Sequence, residues 1–410
     1  MVGSPAHRRA DSEQAFMTPR KAKKRRPVFL DPALAAKRAE RAGPEPDEIE
    51  VSLFGPGYGE CAVLHLGAGE WLIVDSCLDS GSGRPAALAY LSSIGIEPAT
   101  AVKLVAVTHA HDDHIRGIAE VLLTCESATF VRPVATTKDE FLALLDADED
   151  GEATSGSVAV YREFRGIEEI LVSRQTRGAP YAVKHGFSDR PVFRRSGSES
   201  VPQVLVRALS PSDEALNRSL VALRRLLPSG GLVRRLTTDD PNTMCMALWV
   251  EIGDAHVLLG GDLENGPPPN CGWAGVEQNL EQPSGRASVY KVAHHGSPDA
   301  HSEYVWSTLL AENVVAILSP WRRGRTPLPS SEDRARLCNM TPRSYITADP
   351  DFRMSGGTAR NRAAELSGAA SDVRLSEGET GQIRLRRSVV DGSEWKVKLV
   401  KPAQKLEPAH

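Results

Sequence analysis

Short apolar runs separated by glycine and proline turns dominate the chain after residue 47. Three of them, at residues 49–54, 62–66 and 71–75, follow one another with glycines between them, which predicts a meander of strands. Residues 103–107 form a continuous apolar run typical of a buried strand, and from 115 to 123 the apolar positions recur at helical spacing. This part of the chain therefore predicts strands that lead into a helix.

A second group of strands is predicted in the C-terminal half of the chain. Residues 245–252 and 256–259 flank the dipeptide Gly253-Asp254, a two-residue turn that indicates a hairpin. We interpret residues 137–240 as an insertion, because they match neither period well apart from a short strand at 170–172 and a helix at 213–227. The remaining predictions are helices at 86–94, 304–312 and 331–338 and strands at 289–292, 314–318, 345–347 and 382–385.

Composition places the chain among ordinary folded proteins, with 41% hydrophobic and 25% charged residues over 410 positions. No apolar run approaches the roughly 18 to 20 residues that a membrane-spanning helix needs, and the N-terminus has no apolar signal-peptide core. We therefore expect a cytoplasmic protein without membrane contact. The six cysteines are scattered with no CxxC pair, so neither a disulfide framework nor a cysteine zinc site is indicated.

Charge is distributed unevenly along the chain. Residues 1–45 hold eleven Lys and Arg against five Asp and Glu, a net +6, so the other residues hold 38 against 48, a net −10. We interpret residues 1–47 as a basic, disordered tail, because blocks of like charge are often unstructured. The basic run at 20–26 could instead contact nucleic acid phosphates. One domain is predicted at 48–387, followed by an extension at 388–410.

The segment that carries chemistry follows the predicted strand at 103–107. Here His109, His111, Asp113 and His114 form the pattern HxHxDH on a tight loop. Imidazole and carboxylate groups are suitable ligands for zinc, manganese or non-haem iron. We expect His109 and His111 to face one metal ion, and Asp113 and His114 to face another nearby. A chance cluster on a surface turn is the alternative, which the strand-loop-helix context disfavours.

This loop resembles the signature of the metallo-β-lactamase superfamily. Later segments narrow the resemblance to the soluble hydrolase domain of the competence protein ComEC and its relatives. Residues 242–249 resemble the Asn-x-x-Ser strand of those proteins, with Cys245 in place of the serine. Gly261-Asp262 resembles their Gly-Asp pair, and residues 291–297 resemble their Lys-Val-x-His-His-Gly-Ser segment. The resemblance covers about residues 49–350 and implies an α/β fold, a four-layer αββα sandwich, which the alternation of strands and helices also favours.

The resemblance implies roles for several residues. Asp262 is expected to bridge two divalent metal ions, Zn²⁺ or Mn²⁺. Because neighbouring side chains of a strand point to opposite faces, only one of His294 and His295 should bind metal, and we favour His295, which precedes a glycine. Asp75 is expected to orient a histidine by accepting hydrogen bonds, with an ordinary turn aspartate as the alternative. Two further supporting residues are predicted at Asn242 and Ser297.

One loop departs from the pattern of the competence hydrolases. Their Gly-His-Pro-His-Pro-like stretch follows the strand corresponding to 314–318, and this chain has Thr326 and Leu328 in place of the two histidines. Either those histidines are dispensable, or the second metal is held more weakly, or another group protonates the leaving group. The same loop carries three arginines that could hold a phosphate, namely Arg322, Arg323 and Arg325.

These observations predict a metal-dependent hydrolase in which a hydroxide activated by two metal ions attacks the substrate, with Asp113 and Asp262 essential for catalysis. The favoured substrate is a phosphodiester of a nucleic acid or nucleotide, which makes the protein a phosphodiesterase or nuclease, for example a bacterial defence effector. Nucleic acid is the expected partner of the basic tail. Two alternatives stay open, a metallohydrolase of the lactonase or thioesterase type and a metal-containing regulatory module with little catalysis.

Overall fold

The structure, a computed structural model, describes residues 42–56, 59–134, 155–179, 182–199, 201–226, 241–266, 269–279, 281, 285–322, 327–351, 378–389 and 392–409. Most of the predicted basic tail, residues 1–41, lies outside the described residues. The carbonyl of Gly43 accepts a hydrogen bond from Arg386, and the carbonyl of Pro46 accepts one from the Ala68 N–H. The fold therefore begins before the predicted end of the tail at residue 47.

Strands form the centre of the molecule. In chain order, those of the described residues are β1 (Glu48–Gly55), β2 (Cys61–His65), β3 (Trp71–Val74), β4 (Val102–Ala106), β5 (Thr129–Pro133), β6 (Val183–Gly186), β7 (Arg190–Arg195), β8 (Val204–Ala208), β9 (Leu248–Ile252), β10 (Ala255–Leu259), β11 (Ala287–Lys291), β12 (Leu310–Leu318), β13 (Ser344–Ile346), β14 (Gly381–Ser388), β15 (Lys396–Val400) and β16 (Gln404–Lys405).

These strands form two mixed sheets of eight strands each. The first has the order β15-β14-β1-β2-β3-β4-β5-β6, and the second has the order β16-β13-β12-β11-β10-β9-β8-β7. Strands β3 to β6 run parallel in the first sheet, as do β10 to β13 in the second. The other neighbours are antiparallel. The first sheet therefore joins an antiparallel half to a parallel half, whereas in the second sheet the parallel strands β10 to β13 have antiparallel neighbours on both sides, β9 and β16.

The two sheets pack face to face with helices outside them. Their inner faces share one apolar core, in which Leu53 and Leu64 of the first sheet join Val257 and Ile317 of the second. Side chains alternate across a strand, so the other face of each sheet must also be covered. Helices Ala86–Ser93, Ile118–Thr124 and Ser155–Thr176 cover the first sheet, and helices Gly272–Asn279 and Ser331–Met340 cover the second. The predicted α/β four-layer αββα sandwich is confirmed.

The remaining elements are helices and short turns. Among the described residues, no helix is both long and apolar enough to cross a membrane. The predicted helices at 86–94, 213–227 and 331–338 agree with the structure to within two residues. The elements not yet named are the helices Pro98–Ala101, Asp112–Ile115 and Asp213–Leu226, the 3-10 turns Pro241–Met244, Ala293–Gly296 and Pro298–Ala300, and the π-helical turn Val305–Leu309.

Four predictions about elements and borders are corrected by the structure. The insertion predicted at 137–240 contains β6, β7 and β8, which are paired members of the two sheets, and the strand predicted at 170–172 lies inside helix Ser155–Thr176. The helix predicted at 304–312 is only a short π-helical turn, because β12 already begins at Leu310. The extension predicted at 388–410 supplies β15 and β16, so each sheet gains an edge strand from it.

His65 at the end of β2 is held as a neutral imidazole. Its Nδ1 lies 2.7 Å from the carbonyl oxygen of Glu48, which can only accept, so Nδ1 carries the proton. Its Nε2 accepts a hydrogen bond from the Gly69 N–H at 3.0 Å. Burial lowers the pKa of His65 to about 4, although the Glu48 carbonyl acts in the opposite direction. A second proton at Nε2 would replace the Gly69 hydrogen bond with a repulsive contact.

We expect His65 to make the stability of the fold sensitive to acid. The pKa of this group is lower in the folded state than in the unfolded chain, so its contribution is fully present above pH 6.5 and is lost as the pH falls toward 4. The free energy of unfolding should fall by about 2 kcal/mol between pH 8 and pH 5 on this account. Urea denaturation of the wild type and His65→Gln at both pH values measures the difference. If the free energy of unfolding changes with pH by the same amount in the wild type and in His65→Gln, the lowered pKa of His65 is contradicted.

Candidate metal centre

The candidate site lies where four strands end. Asp75 follows β3, and the loop with the HxHxDH pattern follows β4, its parallel neighbour. Asp262 follows β10, and His295 follows the parallel neighbour β11. The carboxyl ends of parallel strands meet at one edge of a sheet and commonly form binding crevices. The site is therefore built from the corresponding edges of both sheets.

Four buried side chains form the centre of the site, namely Asp113, His114, Asp262 and His295. Each offers one ligand atom, and these atoms all lie within 4.8 Å of one another. The Oδ2 of Asp262 is 3.2 Å from His114 Nε2 and 3.6 Å from His295 Nε2. The Oδ2 of Asp113 is 3.5 Å from each of the same two nitrogens. Two carboxylates thus face two imidazoles across one small space.

The first two histidines of the loop lie beside this cluster. His109 Nε2 is 3.9 Å from Asp262 Oδ2, and it is 2.9 Å from Nδ1 of His111. His111 is partly exposed, whereas His109 is buried. All four residues of the HxHxDH pattern and Asp262 are therefore brought to one place, as the sequence predicted for a shared site.

Asp75 orients two of the histidines. Its carboxylate accepts hydrogen bonds from the backbone N–H and the hydroxyl of Thr108, both at 2.7 Å, and its Oδ2 lies 2.8 Å from His114 Nδ1. Because the Thr108 hydroxyl donates to Asp75, its oxygen accepts from His109 Nδ1, 3.0 Å away. One carboxylate therefore fixes the protonated nitrogen of His114 directly and that of His109 through Thr108.

The donor set fits a metal ion. Nδ1 of His295 lies 3.0 Å from the carbonyl of Ser319, so it too carries a proton. In the neutral rings of His109, His114 and His295, Nε2 then carries no proton, and its lone pair is directed at the cluster. His114 Nε2 is buried and has no hydrogen-bond partner among the described residues, and Oδ2 of Asp262 lies 3.2 Å from it. A cation between these groups would satisfy this nitrogen.

The electrostatics of the cluster call for positive charge. Burial alone would lower the pKa of His114, but the carboxylates of Asp262 and Asp113 raise it well above its usual value. Burial alone would raise the pKa of Asp262, but His114 and His295 hold it well below its usual value. His109 has a lowered pKa, because burial outweighs the carboxylates. Protons or metal cations can supply the missing charge, and metal binding would release protons.

Of the two neighbouring histidines, His295 enters the cluster and His294 does not. Nδ1 of His294 lies 2.7 Å from Oε1 of Glu264, and that oxygen also accepts a hydrogen bond from Asn242. The predicted separation is observed, but its predicted reason was wrong. Both histidines lie in a turn with left-handed backbones (φ 45° and 53°), not in a strand, so the sharp bend of the chain separates their side chains.

The other predicted supporting residues lie near the cluster. Asn242 contacts the Glu264 and His294 pair, at a distance of 3.5 Å from His294 Nε2. Ser297 begins the turn Pro298–Ala300, where its hydroxyl accepts from the Asp299 N–H. Cys245, which replaces the serine of the resemblance, accepts the Asp262 N–H on its sulfur at 3.1 Å. These contacts hold the turns that carry Asp262 and His295.

The arginine loop is only partly described. Arg323, Arg325 and Thr326 lie outside the described residues. Arg322 donates a hydrogen bond to the carbonyl of Asp349, and Leu328 forms two reciprocal backbone hydrogen bonds of 2.8 Å with Trp321. The ring of Trp321 stacks on His295, with centroids 5.7 Å apart and planes 20° apart. The loop therefore starts at the edge of the cluster, and the phosphate contacts of its arginines stay a prediction.

Sequence reasoning missed two buried charged residues below the cluster. Lys291 and Glu60 form an ion pair, and both side chains are at most 4% exposed. Lys291 was visible as the first residue of the Lys-Val-x-His-His-Gly-Ser segment, and a lysine that ends an apolar strand is rarely buried unless paired. No comparable signal in the sequence marks Glu60, because its partner Lys291 is distant in sequence and belongs to the other sheet.

The comparison with protein families agrees with this geometry. The profile described as the metallo-beta-lactamase superfamily matches residues 54–311, more than half of the chain. The chain therefore belongs to the metallo-β-lactamase superfamily, a hydrolytic superfamily. The matched residues include the HxHxDH loop, Asp262 and His295.

Individual relatives are distant. Ribonuclease Z of Aeropyrum pernix is 28% identical over 135 residues, which are 32% of this chain and 39% of that protein. The chain thus matches well under half of that relative's length. Similar solved structures include YhfI of Bacillus subtilis (12% identity, 73% of this chain and 95% of that chain, TM-score 0.33) and the metallo-β-lactamase SMB-1 bound to 2-mercaptoethanesulfonate (12% identity, 65% and 85%, TM-score 0.32).

Proposed function

We propose that the protein is a metal-dependent phosphodiesterase that acts on nucleic acid or nucleotides. The observation that carries the proposal is the convergence of Asp113, His114, Asp262 and His295, all buried, with ligand atoms that lie within 4.8 Å of one another. His109 and His111 would extend this donor set to a second ion. Carboxylate and imidazole ligands in this number would suit two divalent ions such as Zn²⁺ or Mn²⁺.

The protein's own residues would hold and position the reacting groups. When bound, the divalent ions would supply a Lewis acid that makes water nucleophilic near neutral pH and polarises a phosphoryl oxygen. Asp262 and Asp113, whose Oδ2 atoms face His114 and His295, would hold the ions and neutralise part of their charge. Asp75 and the Ser319 carbonyl keep the imidazole rings in the tautomer that binds. His111 is partly exposed, so substrate would reach the cluster from its side.

Several features favour a phosphodiester over other hydrolysable bonds. The matched relative ribonuclease Z is by its name a ribonuclease, which favours a nucleic acid substrate. The loop that leaves the cluster at Trp321 holds Arg322, Arg323 and Arg325, and guanidinium groups pair well with phosphate. The resemblance to the competence hydrolases points the same way. A lactone or thioester substrate would have no evident use for this positive charge.

Initial rates on four substrates test the proposal. These are bis(4-nitrophenyl) phosphate, single-stranded RNA or DNA, a homoserine lactone and an acyl thioester, each with metal-stripped protein and with added Zn²⁺ or Mn²⁺. We expect metal-dependent cleavage of the phosphodiesters, lost in His114→Ala and kept in the control His185→Ala, whose histidine lies on β6 outside the cluster. Cleavage of the lactone or thioester alone would favour the other metallohydrolases, and no cleavage with metal bound would favour a regulatory module.

We expect the basic tail to act on long substrates only. Removing residues 1–41, which contain all eleven basic residues of the tail, should raise KM for single-stranded polynucleotide several-fold at low salt and leave bis(4-nitrophenyl) phosphate unaffected. The difference should shrink steeply as salt is added, because phosphate contacts release counterions. A full-length variant with the basic residues of 20–26 changed to Gln is the matched control. Equal loss on both substrates, or an effect independent of salt, would show a structural role.

A further inference from the structure

A buried lysine lies directly beneath the proposed metal centre. Nζ of Lys291 contacts Oε1 of Glu60, donates to the carbonyl of Gly261 at 2.8 Å and lies 3.6 Å from Oδ1 of Asp262. The Lys291 side chain is 4% exposed and that of Glu60 is 3% exposed. An ammonium group removed from water in this way is destabilising unless opposite charges surround it. Its neighbours supply that charge.

The ammonium group sits where a cation is called for. Glu60, Asp75 and His114 form a second buried group whose ligand atoms lie within 4.8 Å of one another. Nζ of Lys291 contacts Glu60 and lies 3.6 Å from Asp262, so two carboxylates face the ammonium group. The lysine therefore already provides the positive charge of this second group through its contact with Glu60.

The ion pair connects the two halves of the ligand set. The backbone N–H of Glu60 donates to the carbonyl of Asp113 at 3.0 Å, which ties Glu60 to the histidine loop of the first sheet. Lys291 ends β11 in the second sheet and binds the carbonyl of Gly261, the residue before Asp262. One charged contact thus fixes the relative positions of Asp113 and Asp262, which come from different sheets.

The backbone at Gly261 explains why this tether acts on Asp262. Gly261 has a left-handed backbone (φ +52°), and a Cβ there would lie 2.5 Å from the sulfur of Cys245. The turn is therefore tightly packed, and holding its carbonyl sets the direction of the next side chain. With Oδ1 of Asp262 facing Lys291, its Oδ2 faces His114 and His295.

We propose that Lys291 is a positioning residue of the metal centre, which, anchored by Glu60 and the Gly261 carbonyl, holds Asp262 with Oδ2 toward the metal ligands. The proposal rests on the proposed metal site. The lysine acts through Asp262 and does not itself touch metal or substrate. Removal of its charge should therefore weaken metal binding and distort the ligand geometry, beyond any change in the stability of the metal-free fold.

Metal binding by Lys291→Met and Glu60→Gln tests the proposal. Competition with a chelating dye gives Kd for Co²⁺ and Zn²⁺, and the visible absorption of the Co²⁺ protein reports ligand geometry. We expect Lys291→Met to weaken binding about tenfold or more and to shift the Co²⁺ bands, with a smaller effect of Glu60→Gln. The control Lys184→Met removes a lysine that donates to the Val192 carbonyl away from the cluster, and it should bind as the wild type does.

The outcomes separate this inference from the proposed function. Wild-type protein that binds no Co²⁺ or Zn²⁺ would overturn the metal centre and the role of Lys291 together. If the wild type binds metal, and Lys291→Met and Glu60→Gln both bind it with the same Kd and the same Co²⁺ spectrum, the role of Lys291 alone is overturned. If Lys291→Met does not fold, Glu60→Gln decides the question, because it keeps the size of the side chain and removes only its charge.

Discussion

Replacing Asp262 with alanine is expected to abolish hydrolysis while the protein stays folded. Its Oδ2 lies 3.2 Å from His114 Nε2 and 3.6 Å from His295 Nε2, so alanine would remove one of the two carboxylates that face these imidazoles. The loss of several kcal/mol of charge stabilisation corresponds to a decrease in kcat of about 10³-fold or more. Some stability should be lost, because Asp262 faces His114, His295 and Lys291 in the metal-free protein, but the apolar core shared by the two sheets should keep the protein folded.

Steady-state kinetics and thermal unfolding measure both parts of this expectation. Asp113→Ala should behave as Asp262→Ala does, since Asp113 Oδ2 lies at the same distance from His114 and His295. Asp254→Ala is the matched control, because this aspartate pairs with Arg387 and its side chain is 59% exposed. Turnover retained in both site variants would show that catalysis takes place elsewhere in the protein.

Asp75→Asn should lower metal affinity by about 10- to 100-fold, although the residue is not expected to bind metal itself. The carboxylate accepts from the N–H and the hydroxyl of Thr108 and from His114 Nδ1. An amide has one accepting oxygen and places an NH₂ group against a donor, so Thr108 and His114 cannot both keep their hydrogen bonds. In one orientation the amide NH₂ opposes the Thr108 N–H and disturbs the loop that carries His109; in the other it opposes Nδ1–H of His114 and disturbs the tautomer that directs Nε2 at the metal.

Isothermal titration of metal-stripped protein with Zn²⁺ measures the effect of Asp75→Asn. Asp299→Asn, a change at an exposed aspartate of the turn Pro298–Ala300, is the control and should leave the affinity unchanged. A folded Asp75→Asn protein with wild-type affinity would show that Asp75 is an ordinary turn residue.

The sequence predicted best what lies within one short segment. The HxHxDH loop is contiguous, and the apolar run before it marks β4, so its position at a strand end could be inferred from local pattern alone. The strands in the predicted insertion could not be inferred from local pattern. β6 and β7 lie at sheet edges and are only partly buried, so they lack the alternation of apolar and polar residues that reveals a strand.

The site shows the same limit. The separation of His294 and His295 depends on two left-handed residues, a conformation that non-glycine residues rarely adopt and that no sequence pattern here predicts. The ion pair of Lys291 with Glu60 is a contact between the two sheets, so it becomes visible only when the fold brings its members together. Local chemistry was therefore predictable, and its tertiary support was not.

The metal content of the purified protein tests the central claim most directly. Elemental analysis after dialysis with Zn²⁺ or Mn²⁺ should find close to two ions per wild-type chain, and markedly fewer in Asp262→Ala, because Asp262 is expected to bridge the two ions. Wild-type protein that retains no metal with any divalent ion would contradict the account.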